Sequence, residues 1–436
     1  MKVLKFGGTS VGSAARIKEV AKLVSDGEQK IIVLSAMSGT TNSLIEISDY
    51  FYKNNTAGAL ERINVLENKY FDVIEELYST VDVKKDAKEI IKSHFNYIRS
   101  FSKSVFTLFE EKAILAQGEL LSTSMFHLYL QEIGQNTVLL PALNFMRIDK
   151  NSEPDTAYIN EHLKKELSEY PDKNIYITQG FICRNFYGEI DNLQRGGSDY
   201  TASLIGAAIH ASEIQIWTDI DGMHNNDPRY VEGTKPVPML HFEEAAELAY
   251  FGAKILHPTC ILPAKLANIP VRLLNTMDPK AHGTLISTQN KKGVIEAIAA
   301  KDGITAIKIK SGRMLLAHGF LRKVFEIFES YQTSIDMITT SEVGVSVTID
   351  NTKHLDEILN DLKKFGTVMV DSDMVIICVV GDLNYEYVGL QAKAVNALKD
   401  VPVRMISYGG SNYNISFLVK QDDKKRALNA LSSALF

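Results

Sequence analysis

The chain has 436 residues, of which 45% are hydrophobic and 23% charged, and its formal net charge at pH 7 is −6. This length predicts about two or three domains, and the negative charge gives no reason to expect a nucleic acid or an anionic membrane as a partner. No apolar run approaches the roughly 20 residues that span a bilayer, and Met1–Phe6 lacks the apolar region of a signal peptide. We therefore expect a cytoplasmic protein, with Cys183, Cys260 and Cys378 as buried free thiols.

The first dozen residues carry a candidate anion site. An apolar strand, Val3–Phe6, runs into Gly7-Gly8-Thr9, and a helix with an apolar face between Ile17 and Val24 follows. A glycine turn before a helix offers outward backbone N–H groups and the positive end of the helix dipole to an anion. Lys5 adds a full positive charge on the strand side. The pattern is not the Walker motif, and an ordinary strand-to-helix turn remains the alternative.

Strands and helices alternate over the first ~290 residues, which predicts an α/β domain with a largely parallel sheet. The predicted strands are Val3–Phe6, Lys30–Ser35, Thr137–Leu140, Ile175–Gln179, Glu213–Thr218 and Val271–Leu274. Between about residues 56 and 132 the pattern becomes helical and charged, and we interpret this stretch as a long helical insertion. Its packed core should contain Phe101, Val105, Leu108 and Phe109.

Two polar segments follow predicted elements in this region. Ser38-Gly39-Thr40-Thr41-Asn42 comes after the second strand, and Gln117-Gly118-Glu119-Leu120-Leu121-Ser122 should lie at the start of a helix. Glu119 at such a position is either an N-terminal helix charge or a partner for a substrate ammonium group.

A second glycine pair opens another predicted helix, in Arg195-Gly196-Gly197-Ser198-Asp199. Ser198 and Asp199 could act only as helix caps. A cap, however, needs neither a preceding arginine nor a glycine pair. Two such segments in one chain suggest two anionic groups held face to face.

The strand ending at Trp217 leads into Thr218 and Asp219, and the loop beyond it contains His224 and Arg229. Ligands of open parallel sheets bind at the carboxyl ends of the strands, so a nucleotide with Mg²⁺ fits this segment, although an acidic surface turn is the alternative. Further on, a helix predicted at Phe242–Phe251 stops at Gly252, and Lys254 follows. That lysine either complements the helix dipole or reaches a phosphate.

Beyond a polar boundary at residues 287–293 the chain repeats itself at an offset of 68 residues. Ile335–Thr339 matches Val403–Ser407, and Val347–Ile349 matches Ile415–Phe417. Each copy fits a ferredoxin-like βαββαβ module. We therefore predict a first domain at residues 1–293 and a second region at 294–436. The modules of that region span about 307–371 and 372–436, and a strand from 294–306 completes the second.

Together these segments fit phosphoryl transfer. That reaction needs positioning and positive charge on the migrating group more than covalent help from the protein. Lys5, the two glycine segments and Mg²⁺ would supply both. No Ser-His-Asp, Cys-His or zinc-type constellation competes in the sequence.

The motifs KFGGTSVG, GTTN, QGELLS, RGGSDYTA, WTDIDG, NDPR, FGAKILHP and ITTSEVGVSVTID occur in this order along the whole chain. In combination they resemble the aspartokinases of the amino acid kinase superfamily. The resemblance implies an α/β amino acid kinase fold, with a mostly parallel sheet between helical layers, followed by two ferredoxin-like α+β ACT modules. It is greatest to the monofunctional, lysine-sensitive class, without a homoserine dehydrogenase domain.

This resemblance implies ATP-dependent phosphorylation of the L-aspartate side chain, the first step toward lysine, threonine and methionine. Lys5 would stabilise the transition state, Asp199 would organise the catalytic centre, and the metal ligands stay unassigned. The implied aspartate-binding residues are Thr41, Glu119, Arg195 and Ser198, with Glu119 on the ammonium group and Arg195 on a carboxylate. The implied ATP-binding residues are Lys5, Gly7, Gly8, Thr9, Thr218, Asp219, His224, Arg229 and Lys254.

The resemblance also implies feedback inhibition by an amino acid, for which we expect lysine, and a homodimer through the ACT modules that could pair into a tetramer. The matching effector positions are Met314, Phe320, Leu321, Ser334, Asp336, Thr340, Ser341 and Glu342. We expect Asp336 and Ser341 at the ends of two adjacent strands, with Asp336 on an ammonium and Ser341 on a carboxylate. A plain dimer interface is the alternative for this set.

Two other functions are alternatives for this sequence. One is a kinase for glutamate, N-acetylglutamate or UMP, against which the tandem modules and the GTTN and QGEL segments argue. The other is an amino-acid sensor with an inactive kinase half. Lys5, Arg195, Asp199 and Asp219 are all present, which argues against a degenerate site.

Overall fold

The computed structural model describes residues 1–103, 105–193, 196–252, 256–289, 291–311 and 318–436. Three predicted site residues, Arg195, Lys254 and Met314, lie outside these ranges. The chain forms two compact units, the first with residues 1–223 and 256–288 and the second with residues 224–255 and 289–436. This division differs from a single boundary after residue 293, because residues 224–255 group with the C-terminal part of the chain.

The strands alternate with helices in the first part of the chain and cluster in the last. The strands are β1 (Lys2–Phe6), β2 (Lys30–Leu34), β3 (Thr137–Leu139), β4 (Ile175–Gln179), β5 (Ile182–Arg184), β6 (Ile190–Asn192), β7 (Ile214–Thr218), β8 (Met239–His241), β9 (Val271–Asn275), β10 (Thr284–Ser287), β11 (Ile295–Lys310), β12 (Ile338–Ser341), β13 (Gly344–Ile349), β14 (Thr367–Gly381), β15 (Met405–Tyr408) and β16 (Asn414–Lys420). The helices are α1 (Ala14–Val24), α2 (Thr40–Tyr52), α3 (Thr56–Leu77), α4 (Val81–Ser100), α5 (Leu108–Glu132), α6 (Thr156–Ser168), α7 (Gly197–Ile209), α8 (Phe242–Tyr250), α9 (Pro258–Leu266), α10 (Phe320–Ser330), α11 (Leu355–Leu362), α12 (Leu390–Ala397) and α13 (Lys424–Leu435).

The sheet of the first unit runs in the order β3-β4-β2-β1-β7-β9-β10. All its pairs are parallel except β9 with β10, which confirms the largely parallel sheet. Every residue of β2 and β4 is buried, as expected for strands covered on both faces by helices. The carboxyl ends of β2, β1 and β7 therefore lie side by side.

The insertion consists of α3, α4 and α5, in agreement with the prediction, but its core is different. Tyr70 and Phe95 are fully buried, whereas Val105, Leu108 and Phe109 are exposed and Phe101 is only partly buried. The prediction failed because these residues surround the connection between α4 and α5. Within that connection it is Phe106 that packs, against the rings of Phe51 and Tyr52.

The second unit contains a six-stranded sheet in the order β12-β13-β11-β14-β16-β15. The long strand β11 belongs to both modules. Its first half, from Ile295 to Lys301, pairs with the last residues of β14, and its second half, Thr305–Lys310, pairs with β13. Helices α10 and α11 cover the first module, and α12 and α13 the second. The first module thus shows the βαββαβ order, from β11 through β14. In the second module, β14, α12, β15, β16 and α13 follow one another, and the first half of β11 supplies the remaining strand.

Residues 224–255 group with the modules through specific contacts. Val231 is buried in the apolar core of the second module, beside Leu428 of α13. Ile298 N–H donates to Asn225 O over 2.9 Å, and the Asn414 amide donates to the Glu247 carboxylate of α8. Among the described residues, no helix combines the length and the apolar character needed to cross a membrane.

Candidate active site

Lys5 and Asp199 form an ion pair at the carboxyl end of β1. Lys5 is the penultimate residue of β1, and its Nζ lies 2.7 Å from Oδ1 of Asp199 in the first turn of α7. The two side chains are only 12% and 17% exposed. The contact does not have hydrogen-bond angles, and Asp199 Oδ1 has no hydrogen-bond partner among the described residues. The pair therefore fixes a cation at this edge of the sheet.

The glycine turn after β1 is built for close approach rather than as a helix start. A Cβ on Gly8 would lie 2.8 Å from Ala36 O, so only glycine lets this turn touch the segment after β2. Gly7 N–H donates to Trp217 O and does not point outward, which corrects the prediction for that group. Helix α1 begins only at Ala14, capped by Ser13, because the intervening residues form turns. Gly8 and Thr9 lie in those turns.

Glu119 lies in the interior of α5, not at a helix start. The helix begins at Leu108, eleven residues before Glu119, because Thr107 and Glu110 form a capping box. A Cβ on Gly118 would lie 2.8 Å from the Ala36 Cβ, so this glycine lets α5 approach the end of β2. Glu119 Oε1 can then accept from Ala36 N–H over 3.1 Å.

The Glu119 carboxyl is electrostatically unusual. It is 5% exposed, and burial raises its pKa to about 8, against the opposing effects of the Ala36 N–H and the Lys5 charge. Without a ligand the group is mostly protonated at pH 7. A cation beside Glu119 would favour the ionised form of its carboxyl. The carboxyl can therefore release its proton and form an ion pair with an ammonium group that binds there.

Three serines join this cluster. Ser35, at the end of β2, donates through Oγ to Ser198 Oγ over 2.9 Å, and Ser122 of α5 donates to Ser35 O over 2.8 Å. A Cβ on Gly180 would overlap the Ser198 side chain. Sequence reasoning missed Ser35 and Gly180. Their only signal was their place at the ends of predicted strands, where ligands of parallel sheets bind.

Thr41, by contrast, is exposed in the first turn of α2. The hydroxyl that packs inward from this segment is that of Thr40, which is 3.0 Å from Tyr70 OH. Thr41 is therefore free to face a ligand in solution.

Thr218 and Asp219 leave the carboxyl end of β7, as predicted. Thr218 Oγ1 donates to Asp219 Oδ1, and Thr218 O accepts from both the N–H and the hydroxyl of Thr276. The Thr276 hydroxyl also lies 2.6 Å from Ser10 Oγ. Ser10 and Thr276, which sequence reasoning missed, thus tie the turn after β1 to the ends of β7 and β9.

The predicted nucleotide residues His224 and Arg229 belong to the second unit. His224 Nδ1 lies 3.1 Å from Thr234 Oγ1. The exposed Arg229 guanidinium forms three hydrogen bonds with the Asp227 carboxylate. Their loop is held by α13, where Lys424 Nζ stacks 4.0 Å from the Tyr230 ring centroid and Asn226 donates to Leu428 O.

The predicted effector residues are dispersed over the first module. Phe320 is buried in the module core, whereas Leu321, Ser334, Thr340, Ser341 and Glu342 are exposed. Asp336 precedes β12 and Ser341 ends it, so they do not lie on two adjacent strands as expected.

At the site of the first unit, the structure brings together Lys5, Asp199, Glu119 and Ser198, around the ends of β1 and β2. This site contains the Lys5 cation, hydroxyl groups and the buried Glu119 carboxyl, which can bind an ammonium group. No group of three His, Cys, Asp or Glu side chains that could bind a metal by itself occurs in the described ranges.

Two protein-family models match separate parts of this chain. The sequence model of the amino acid kinase family matches residues 1–275, and that of the ACT domain matches residues 377–435. The lysine-sensitive aspartokinase 3 of Escherichia coli is 32% identical over 447 residues, which cover 100% of this chain and 99% of that protein.

Two solved structures of one enzyme are similar to this chain over its full length. E. coli aspartokinase III in complex with aspartate and ADP, described as the R-state, superimposes with a TM-score of 0.84 at 32% identity and full coverage of both chains. The same enzyme in complex with lysine and aspartate, described as the T-state, gives a TM-score of 0.81, covering 100% of this chain and 99% of the other.

Proposed function

The chain belongs to the aspartokinases of the amino acid kinase family, and from that membership we propose how its own residues phosphorylate L-aspartate. A carboxylate oxygen of the aspartate side chain attacks the γ-phosphorus of ATP. A new O–P bond forms, the bond to the ADP oxygen breaks, and ADP leaves. The attacking carboxylate is already ionised at neutral pH, so the step requires no general base. The protein must instead position both substrates and stabilise negative charge.

Lys5 is the residue we assign to that charge. Its Nζ is held by Asp199 at 2.7 Å, so the cation is in place before the nucleotide arrives, and such preorganised charge is the effective kind in catalysis. Gly7, Gly8 and Thr9 lie beside it in the turn after β1, and Thr218 and Asp219 end β7. We assign these residues to the nucleotide. His224, Arg229 and Lys254 remain predictions from the sequence for the same ligand.

Mg²⁺ fits the carboxylates of this unit. Mg²⁺ sites generally use one or two carboxylates together with substrate phosphates. Asp199 carries a carboxylate beside Lys5 at the end of β1, and Asp219 follows the last residue of β7. Asp199 and Asp219 are the side chains we propose for the ion. When bound, Mg²⁺ would neutralise charge on the phosphate oxygens.

Glu119 is the residue we assign to the aspartate ammonium. Its carboxyl is buried and accepts a hydrogen bond from Ala36 N–H, and two carboxylate oxygens retain acceptor capacity for the substrate. Ser198 and Thr41 are proposed to bind the aspartate carboxylates together with Arg195, whose planar guanidinium suits bidentate recognition.

For regulation we propose that L-lysine inhibits the enzyme by binding the first ACT module. Asp336 precedes β12 and Ser341 ends it, so the two residues are separated along the chain by the length of that strand. In a homodimer formed through these modules, Asp336 of one copy would bind an ammonium group of the lysine effector. The other copy would bind the carboxylate of the same lysine.

The observation that carries the catalytic proposal is the convergence of the Lys5–Asp199 pair and Glu119 at the ends of β1 and β2. The test is an ADP-release assay with ATP and Mg²⁺ and with L-aspartate, L-glutamate or no acceptor. We expect release with aspartate only. Release with glutamate would indicate another amino acid kinase, and equal release without an acceptor would contradict a kinase acting on either.

A further inference from the structure

Asp336 is bound inside its own chain by a lysine side chain. Its carboxylate is fully buried, and Oδ1 accepts from Lys301 Nζ of β11 over 2.7 Å and from Tyr250 OH at the end of α8 over 2.8 Å. Lys301 Nζ also pairs with the Asp350 carboxylate at 2.9 Å. We call Asp336, Asp350, Lys301 and Tyr250 the ammonium cluster.

Lys301 is held in the way that proteins hold a ligand ammonium. Two carboxylates contact its Nζ, and the ring centroid of Tyr250 lies 4.3 Å from it. Carboxylates and aromatic faces are the usual partners of an alkylammonium group. Although burial opposes it, the hydrogen bonds of Asp336 and Asp350 raise the pKa of Lys301, so the side chain stays charged.

Among the residues that the structure describes, the ammonium cluster has one more negative than positive charge. It contains two carboxylates and a single ammonium, and Asp336 Oδ2 is buried without a hydrogen-bond partner among the residues that the structure describes. A buried polar atom in this state costs free energy. Burial correspondingly raises the pKa of Asp336 despite Lys301. A further ammonium donor at Oδ2 would satisfy both the oxygen and the charge.

We propose that Lys301 is an internal competitor for the effector's side-chain ammonium, and that it sets how tightly and how selectively the first module binds a cationic amino acid. This rests on the proposed assignment of Asp336 to effector binding. An ammonium on Oδ2 shares the carboxylate with Lys301 Nζ on Oδ1, so the two like charges repel at close range. The negative charge in excess attracts the effector, and Lys301 limits that attraction.

The experiment is isothermal titration of the full chain with L-lysine and with L-norleucine, which lacks the side-chain ammonium. Lys301→Met keeps the stem and removes the charge, and we expect it to lower the Kd for lysine about tenfold. Lys301→Arg keeps the charge and should stay within about twofold of wild type. Norleucine binding should not change in either variant, because it brings no charge to the cluster.

Asp350→Asn provides a second variant at a more exposed position, with the opposite expected sign. It removes the excess negative charge, so the Kd for lysine should rise by about threefold or more. Thermal melting and uninhibited kinase activity report whether each variant is folded. If Lys301→Met does not fold, the Asp350→Asn titration decides alone.

An unchanged or weakened lysine affinity in Lys301→Met would overturn the proposal, since Lys301 would then only support Asp336. An unchanged or tighter affinity in Asp350→Asn would do the same. If wild type binds no lysine but Lys301→Met does, the site accepts lysine and the competitor proposal is supported. If neither protein binds lysine, the effector assignment and the competitor proposal both fail, whereas equal binding by both proteins overturns the competitor alone.

Discussion

Lys5 Nζ and Asp199 Oδ1 lie 2.7 Å apart, joining the end of β1 to the first turn of α7. The pair is largely shielded from water, so its attraction is screened little by salt. Asp199 therefore fixes the position of the cation that is proposed to meet the migrating phosphoryl group. Such an arrangement stabilises charge in the transition state without having to reorganise.

Replacing Lys5 with Ala should lower kcat far more than it weakens ATP binding, because its charge acts mainly in the transition state. The expected loss corresponds to about 2–4 kcal/mol, the scale for one electrostatic donor. Steady-state kinetics with varied ATP and aspartate measure it. Lys2→Ala is the matched control, since Lys2 lies on the same strand but pairs with Glu28 at the surface. An unaltered kcat in Lys5→Ala would exclude Lys5 from the mechanism.

Glu119→Gln should abolish the pH dependence of kcat/KM for aspartate. The wild-type carboxyl has a pKa of about 8 and must lose its proton to bind an ammonium. Hence kcat/KM for aspartate should rise with pH and level off above about 8. The Gln variant should be low and flat over the same range. A rising profile in Glu119→Gln would assign the titration to another group.

The same substitution should stabilise the fold at alkaline pH. The unfolded chain releases the Glu119 proton near pH 4.5 and the folded chain only near 8, so the stability of wild type falls as pH rises between these values. The Glu119→Gln variant has no carboxyl at this position, so its stability should not fall in this way. Denaturant unfolding at pH 5 and pH 8 should therefore show a variant advantage at pH 8 on the order of a few kcal/mol. An equal advantage at both pH values would mean that Glu119 ionises normally.

Gly118→Ala should impair aspartate binding without touching the nucleotide. The new methyl group would lie 2.8 Å from the Ala36 Cβ, so α5 must move away and Glu119 must lose its contact with Ala36 N–H. Overpacking of this kind costs about 1–3 kcal/mol of stability. Gly410→Ala is the control, because a Cβ there meets no atom within 4 Å. The aspartate KM should rise only in Gly118→Ala, and a parallel rise in the ATP KM would indicate a general disruption instead.

Ser341→Phe tests the proposed effector site at the end of β12, where Ser341 is exposed and makes a single long hydrogen bond to Gly344 O. A phenyl ring at position 341 should block the part of the site that is proposed to bind the carboxylate of lysine. An effector inhibits only through tighter binding to the less active state, so the variant should keep its activity and resist lysine. Lysine titration at fixed ATP and aspartate measures this. Normal inhibition of the variant would remove Ser341 from the site, and a wild type that responds only to threonine would replace the effector.

The sequence could predict the elements of the first unit because its strands are short apolar runs bounded by turn residues. The ends of β1, β2 and β7 agree with the prediction to within one residue, and Lys5, Asp199 and Ser198 lie close to the ends of β1 and β2. The repeat in the tail likewise predicted two modules, because each copy carries the same order of apolar strands and helices.

Other features depend on contacts that no local pattern records. The position of Glu119 within α5 follows from the capping box at Thr107 and from the fit of Gly118 against Ala36. The partners of Asp336 come from β11 and α8, far away in the sequence. Their pairing is a property of tertiary packing, which overrides local preference.

The most direct test of the catalytic account is chemical trapping of the product. Purified protein is incubated with ATP, Mg²⁺, L-aspartate and hydroxylamine, which converts an acyl phosphate to a stable hydroxamate, and the product is identified by mass spectrometry. The account predicts aspartyl β-hydroxamate in an amount equal to the ADP released, and almost none with Lys5→Ala. ADP release without hydroxamate, or equal hydroxamate from Lys5→Ala, would contradict it.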